Sequence, residues 1–360
     1  MHFVILRFSS LGDLVMQTGF TSWLKFTFPK CKITFITLKQ FSSLIENHPH
    51  IDNVIGYEKK SGLKDLRCLS NLGKRINSEN QVDFIIDLHG TTRAFFFKLL
   101  NFSIPSINLD KRRIERQILT KLKVNLLKNE ASQHTRAIID YAGIFEEKFN
   151  LDLLEKNLNN DSDFINSLSV TSSPQAFIKS SFKKPYDKYI VIAPVASFES
   201  KRWPINKFKD LIQKIITSVE FNNINICIVA GPADNYCDEL NGLVQKYPDR
   251  LTNLKGKTSL SESSEVIRES LLVIGNDTGM GHIAESFGVP IVSIFGPTSE
   301  SFGFAPHLPD SKSLSVDLWC RPCSTTGKSK CFRKKQYCME DVTINTVFNC
   351  ISSTLNLKEI

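Results

Sequence analysis

Val273 to Thr298 reads VIGNDTGMGHIAESFGVPIVSIFGPT, and it carries the pattern that decides the fold. Leu271 to Ile274 and Ile291 to Phe295 are apolar runs of strand length, and Met280 to Phe287 between them has the length of a short helix. Between the first strand and the helix lie Gly275, Asn276, Asp277, Thr278 and Gly279, which combine tight-turn residues with a capping side chain. The second strand empties into Gly296, Pro297 and Thr298. A strand, helix, strand unit of this kind builds a parallel sheet, and both loops open at its carboxyl edge, where ligands bind in open α/β folds. A helix N-terminus there attracts anions. The same residues also suit a well-capped crossover that carries no ligand.

The pattern recurs at the start of the chain. Phe3 to Phe8 is a strand interrupted only by Arg7, followed by Ser9, Ser10, Leu11, Gly12 and Asp13 and then an amphipathic segment to Phe26. Asp13 is either a helix N-cap or, facing a cleft, a general base for a hydroxyl. Further strands are expected at 32–38, 53–55 and 84–88, with helices near 41–46 and 63–77 between them. The strand at 84–88 delivers Asp87, His89, Gly90, Thr92 and Arg93 to the same edge. His89 is either a packing residue or, beside Arg93, part of an anion contact. Later strands are expected at 189–194, 224–230, 271–274 and 291–295, and a closing helix over 342–357.

The stretches RFSSLGD (7–13), DLHGTTR (87–93), KRWP (201–204) and NDTGMGHIAESFGVPIVSIFGPTSE (276–300), taken in order, resemble the heptosyltransferase family of glycosyltransferases, which build the lipopolysaccharide inner core. The likeness runs from residue 7 to about residue 347 and rests on four separate motifs. It implies two Rossmann-like domains facing across a cleft, the GT-B arrangement. Residues 1–170 would form the acceptor domain and 185–341 the nucleotide-sugar domain, with 342–360 packing back on the first. The boundary is expected in the Asn-, Ser-, Asp- and Lys-rich stretch 150–184.

The resemblance also implies roles. Asp13 becomes the catalytic base, with Ser9, Ser10, Gly12, His89 and Arg93 toward the acceptor. Lys201 takes the donor's phosphates, with Ser197 and Arg202 beside it. Two adjacent cations ahead of a helix are unfavourable to its dipole and suit a bound anion. Asp234, after the strand ending at Ala230, is the candidate for the ribose hydroxyls, while Asp277, Thr278 and Gly279 contact sugar and diphosphate, with His282 assisting. Met280 and Gly281 fall where the family varies.

Composition sets the outer bounds. At 360 residues and 41% hydrophobic the chain holds two ordinary α/β domains. No signal peptide or membrane span is read, so a cytoplasmic enzyme is expected, either soluble or peripheral on the inner membrane. The net charge is +8. Residues 110–128 carry seven basic residues against two acidic ones, and Arg112 and Arg113 are candidates for an acidic, lipid-linked acceptor or an anionic membrane surface, the alternative being a solvated helix face. No nucleic-acid motif accompanies that charge.

Nine cysteines without a secretory signal favour reduced thiols. Cys320, Cys323, Cys331 and Cys338 are spaced C-x2-C-x7-C-x6-C, so the choice there lies between free thiols and a structural zinc; no cofactor is required for the chemistry. The same fold with another nucleotide-sugar, or a binding protein without catalysis, remains the alternative to heptosyl transfer. A dehydrogenase is disfavoured because the first βα turn lacks G-x-G-x-x-G.

Overall fold

The computed structural model describes residues 1–79, 81–109, 111–127 and 183–357. The described residues fall into two compact units, one holding 1–111 and the other 112–127 with 183–357. Most of the expected linker 150–184, and the boundary at 170, lie outside the described residues, as do Asp110 and Lys128.

The first unit is a five-stranded parallel sheet. Its strands are β1 (His2–Leu6), β2 (Lys32–Leu38), β3 (Asn53–Tyr57), β4 (Phe84–Asp87) and β5 (Ser106–Asn108), in the spatial order β3-β2-β1-β4-β5. The two central strands, HFVIL and FIID, are buried at every position, as strands covered on both faces must be. Helices α1 (Leu11–Thr27), α2 (Lys39–Ser42), α3 (Leu63–Glu79) and α4 (Thr92–Leu100) make the crossovers. Val4, Leu6, Ile85, Leu72 and Phe97 share one core. The helix expected near 41–46 is instead the single turn α2, ending at Ser42.

The second unit opens with α5 (Arg113–Leu122). Its sheet holds β6 (Tyr189–Ala193), β7 (Asn225–Ile228), β8 (Leu251–Asn253), β9 (Val273–Asn276), β10 (Ile291–Ile294) and β11 (Lys312–Leu314), all parallel, in the order β11-β10-β9-β6-β7-β8. The crossover helices are α6 (Ile205–Thr217), α7 (Asn241–Lys246), α8 (Leu260–Arg268) and α9 (Gly279–Ser286). α8 begins with a capping box in which Ser259 and Glu262 satisfy each other's backbone amides. The expected unit at 271–295 is thus β9, α9 and β10, with strand and helix shifted by one or two residues.

The chain closes with α10 (Tyr337–Glu340) and α11 (Ile344–Thr354). Val347, Phe348 and Ile351 of α11 are buried in the core of the second unit with Phe208, Ile212 and Phe221. Its apolar stripe is complementary to that of α6, whose Leu211, Ile212 and Ile215 are buried in the same core. α5 likewise belongs to the second unit, so Arg112 and Arg113 do not lie in the first unit where the expected boundary put them. Among the described residues no helix is long and apolar enough to cross a membrane.

Candidate active site

Each sheet has one point where the strand order reverses, and in each the polar loops read from the sequence meet there. In the first unit the reversal lies between β1 and β4, in the second between β6 and β9. Adjacent strands that send their chains in opposite directions leave a crevice at their carboxyl ends.

At the first crevice Asp13 occupies the third position of α1, and Ser10, not Asp13, is the N-cap. The Ser10 amide donates to Asp13 Oδ2 at 3.2 Å and the Ser10 hydroxyl at 2.6 Å. Arg7 Nη2 meets the same oxygen at 2.6 Å, with the Arg7 side chain 4% exposed and that of Asp13 15%. Arg7 Nη1 also donates to the Leu88 carbonyl, joining the loop after β1 to the loop after β4. Burial raises the carboxyl's pKa, but the Arg7 charge and the Ser10 bonds outweigh it and hold Asp13 well below the usual carboxylate range. Asp13 is therefore a carboxylate at any working pH.

His89 is buried beside it. The Phe8 amide donates to Nδ1 at 3.3 Å, which assigns the other proton to Nε2, 3.3 Å from the Ser9 hydroxyl. Burial first, then the Arg7 and Lys111 charges, push its pKa down to about 3, so the ring is neutral and donates to Ser9. The loop itself is held by Asp87, whose Oδ1 accepts from the His89 and Gly90 amides at 2.9 and 2.7 Å and whose Oδ2 pairs with Lys98 at 2.7 Å. Arg93 lies over the Phe8 and Tyr57 rings and donates from Nε to Asp65 Oδ2 at 3.0 Å. Gly12 is buried in the first turn of α1.

At the second crevice the Lys201 ammonium lies 2.6 Å from Asp277 Oδ2, and the Thr298 hydroxyl donates to the same oxygen at 2.8 Å. This brings the loops after β6, β9 and β10 onto one carboxylate. Asn276 supports them: its Oδ1 accepts from the Trp203 amide and its Nδ2 donates to the Pro194 carbonyl, both at 2.8 Å. Thr278 is the N-cap of α9 and makes no side-chain cap bond; the Gly281 amide donates to the Thr278 carbonyl at 3.2 Å, and the amides of Gly279 and Met280 stand at the helix N-terminus. A lysine has three donors, so the pair with Asp277 leaves Lys201 capacity for a phosphate.

The remaining donor-side candidates divide. His282, buried in α9, lines a pocket with Asp277, Thr278, Gly281, Glu285 and Phe304. Glu285 Oε1 accepts from the His307 and Leu308 amides at 2.7 and 2.9 Å, and Oε2 meets His307 Nδ1 at 2.9 Å. Arg202 is drawn away from Lys201: Nε donates to the Ala196 carbonyl at 2.9 Å and the guanidinium lies over the Tyr236 ring. The adjacent cations are thus accommodated by Asp277 and Tyr236, with no need of a shared anion. Asp234 closes its own turn, Oδ2 accepting from the Gly231 amide at 2.8 Å. Ser197 is exposed.

At the four C-terminal cysteines the sequence leaves open free thiols or a structural zinc. Among the described residues no group of three or more His, Cys, Asp or Glu side chains could hold a metal ion. All four are free thiols, and burial pushes Cys338 up to about 11 and raises Cys323.

Reading of the sequence missed four parts of these sites: Arg7, the clamp role of Asn276, Thr298, and Gly327. Gly327 has φ +83° and a Cβ there would lie 2.4 Å from Lys201 Cγ, so this loop packs directly on the lysine stem. A charged residue inside an apolar strand was the available signal for Arg7. No local signal marks Gly327.

Two doubly wound parallel sheets, one presenting a carboxylate and the other a lysine and a helix N-terminus at their reversal points, have the architecture of glycosyltransferases of the GT-B type. A glycosyltransferase family 9 (heptosyltransferase) model matches residues 70–332, and the chain belongs to that family. It is 24% identical over 327 residues to lipooligosaccharide heptosyltransferase 2 of Haemophilus influenzae, covering 87% of this chain and 88% of that one. The family 9 glycosyltransferase structure from Veillonella parvula superposes with a TM-score of 0.72 at 17% identity, over 99% of this chain and 98% of that one. Escherichia coli heptosyltransferase WaaC with ADP-2-deoxy-2-fluoro heptose gives 0.61 at 16%, over 98% and 99%.

Proposed function

We propose that the protein transfers a heptose from ADP-heptose to an acidic, lipid-linked sugar of the lipopolysaccharide inner core, with inversion at the anomeric carbon. The relatives' activities support the substrates. The observations that carry the chemistry are an ionised, loop-held Asp13 at the reversal point of the first unit and the Lys201–Asp277 cluster at that of the second.

In this mechanism Asp13 accepts the proton of the acceptor hydroxyl as that oxygen bonds to the anomeric carbon. The bond from that carbon to the diphosphate oxygen breaks, and ADP departs with the electron pair. A carboxylate held low by Arg7 is a weak base for a resting alcohol. It becomes competent as bond formation acidifies the hydroxyl, and such help is worth about 10² to 10⁴ in rate. Neutral His89 orients Ser9 in the same loop. Lys201 and the first-turn amides of α9 meet the charge growing on the leaving diphosphate, fixed dipoles and a held cation requiring little reorganisation. Thr278, Gly279 and His282 lie beside Asp277 for the sugar hydroxyls, and Asp234 is retained for the ribose.

Calorimetric titration with ADP-heptose, UDP-glucose and GDP-mannose, followed by turnover with a deacylated core acceptor, tests this. Selective ADP-heptose binding with transfer is the expected result. Preference for another nucleotide-sugar would replace the donor while keeping the chemistry. Donor binding without transfer to any core acceptor would reduce the protein to a binding module.

A further inference from the structure

The positive charge of this chain is not spread over it. Residues 112–127 carry five cations against one acid, and residues 318–339 carry six cations and no acid. Those two segments hold an excess of ten positive charges, while the whole chain has +8, so everything else is net −2. Both segments belong to the second unit, and they are joined: Lys123 Nζ donates to the Cys320 and Pro322 carbonyls at 2.9 and 2.7 Å.

The surface they form is built rather than loose. Arg321 Nε donates to the Gly296 carbonyl at 2.6 Å, and the Cys323 and Ser324 amides donate to the Pro297 carbonyl at 3.0 and 3.1 Å. Gln336 donates to the Ser200 carbonyl. On this frame Lys328, Lys330, Lys334 and Lys335 are exposed. Among them stand Trp319, 72% exposed, and Phe332, 67% exposed, edge to face at 6.0 Å. Arg333 bridges Trp319 and Tyr337, its guanidinium 5.9 and 4.2 Å from the two rings. On the α5 side Ile114 and Leu122 are 73% and 69% exposed.

We propose that this face of the second unit, residues 318–339 with α5, docks on an anionic lipid bilayer. The inference deepens the reading of the protein as a transferase acting on a lipid-borne acceptor. Lysines with interleaved exposed tryptophan, phenylalanine, isoleucine and leucine match a charged headgroup layer over hydrocarbon, where indole rings prefer to lie. Self-association through the same face would set ten excess positive charges against ten.

The test is co-sedimentation of the full chain with vesicles of phosphatidylcholine alone or mixed with phosphatidylglycerol, without donor or acceptor. Because no substrate is present, failure of the transfer reading leaves this result untouched. The wild type pellets with the anionic vesicles only and is released by salt. Each lysine neutralised weakens partition about fivefold, so the quadruple variant Lys328→Gln, Lys330→Gln, Lys334→Gln, Lys335→Gln loses binding at least a hundredfold while its thermal melt and donor titration stay those of the wild type. Trp319→Ser with Phe332→Ser weakens binding without changing its salt dependence. Wild-type pelleting of the quadruple variant overturns the proposal. So does a variant that keeps vesicle binding but shows a raised KM for a soluble acceptor, which would make the loop a saccharide contact, or a change of oligomeric state on mutation, which would make it a subunit interface.

Discussion

Asp13→Asn separates the structural from the chemical work of one side chain. The substitution leaves an amide oxygen able to accept from Ser10 but removes the charge facing Arg7, whose guanidinium is almost fully buried. Losing one partner of a buried pair costs about 3–5 kcal/mol. The retained bond to the Leu88 carbonyl and the partial exposure of Asp13 place this case near about 3 kcal/mol, equivalent to a fall in Tm of about 6–12 °C in a domain of this size. Turnover falls further, by about 10² to 10⁴, while donor titration is unchanged because no donor contact is altered. The double variant Arg7→Met, Asp13→Asn removes the orphaned charge, and replacing both partners is often neutral, so the melt recovers. Turnover does not recover. Thermal denaturation, calorimetry with ADP-heptose and initial rates on Asp13→Asn, Arg7→Met and the double variant complete the cycle. If turnover returns together with the melting temperature, Asp13 acts only through the fold and the assignment as base is wrong.

Lys201→Ala weakens ADP-heptose binding by about 10- to 100-fold, the loss of one to two charge-assisted bonds, and an unchanged Kd in calorimetry removes Lys201 from the phosphates. Gly327→Ala forces a Cβ into the lysine stem at a left-handed backbone position, so it lowers both donor affinity and the melting temperature, by about 1–3 kcal/mol in stability; a melt identical to wild type would refute the packing argument. Acid stability follows from the histidines. His89 and His48 have folded pKa values pushed down to about 3 from 6.5, so below pH 6.5 the unfolded chain takes up protons that the folded one refuses. Stability present above 6.5 is lost as pH falls toward 3, and denaturant midpoints of His89→Gln should fall less steeply than wild type across that window.

How much of this was legible depended on where each element obtains its stability. β1, β4, β6, β9 and β10 are buried on both faces, so their sequences are apolar runs that announce themselves. β5, β8 and β11 have three residues each and owe their existence to pairing with a neighbour; SIN, LTN and KSL contain too few side chains for any period to show. α11 was legible as a helix, but an amphipathic stripe says that a face is buried and not against what, so its burial with Phe208 and Ile212 shows only in the packing. Asp13, Lys201 and Asp277 were legible as polar residues after strands. Their partners were not, since a contact between distant loops leaves no spacing in the sequence.

The unrecognised partners share a geometry that bears on function. In the first unit Arg7, just beyond β1, bonds to the carbonyl of Leu88 just beyond β4. In the second Asn276, at the end of β9, bonds to the backbone of Pro194 and Trp203 beyond β6. Each reversal point is thus crossed by one buried side chain tying the two loops that diverge there. A crevice between diverging loops widens unless something spans it, and a general base or a phosphate lysine displaced by even 1 Å loses much of its effect. Asn276→Ala therefore belongs with the site although the amide contacts only backbone. It strips an acceptor from the Trp203 amide and a donor from the Pro194 carbonyl, leaving Lys201 on a loop no longer held to β9. The expected signature is a weakened donor Kd with Lys201 itself intact, and a donor affinity equal to wild type would show that the Lys201–Asp277 pair alone holds the loop.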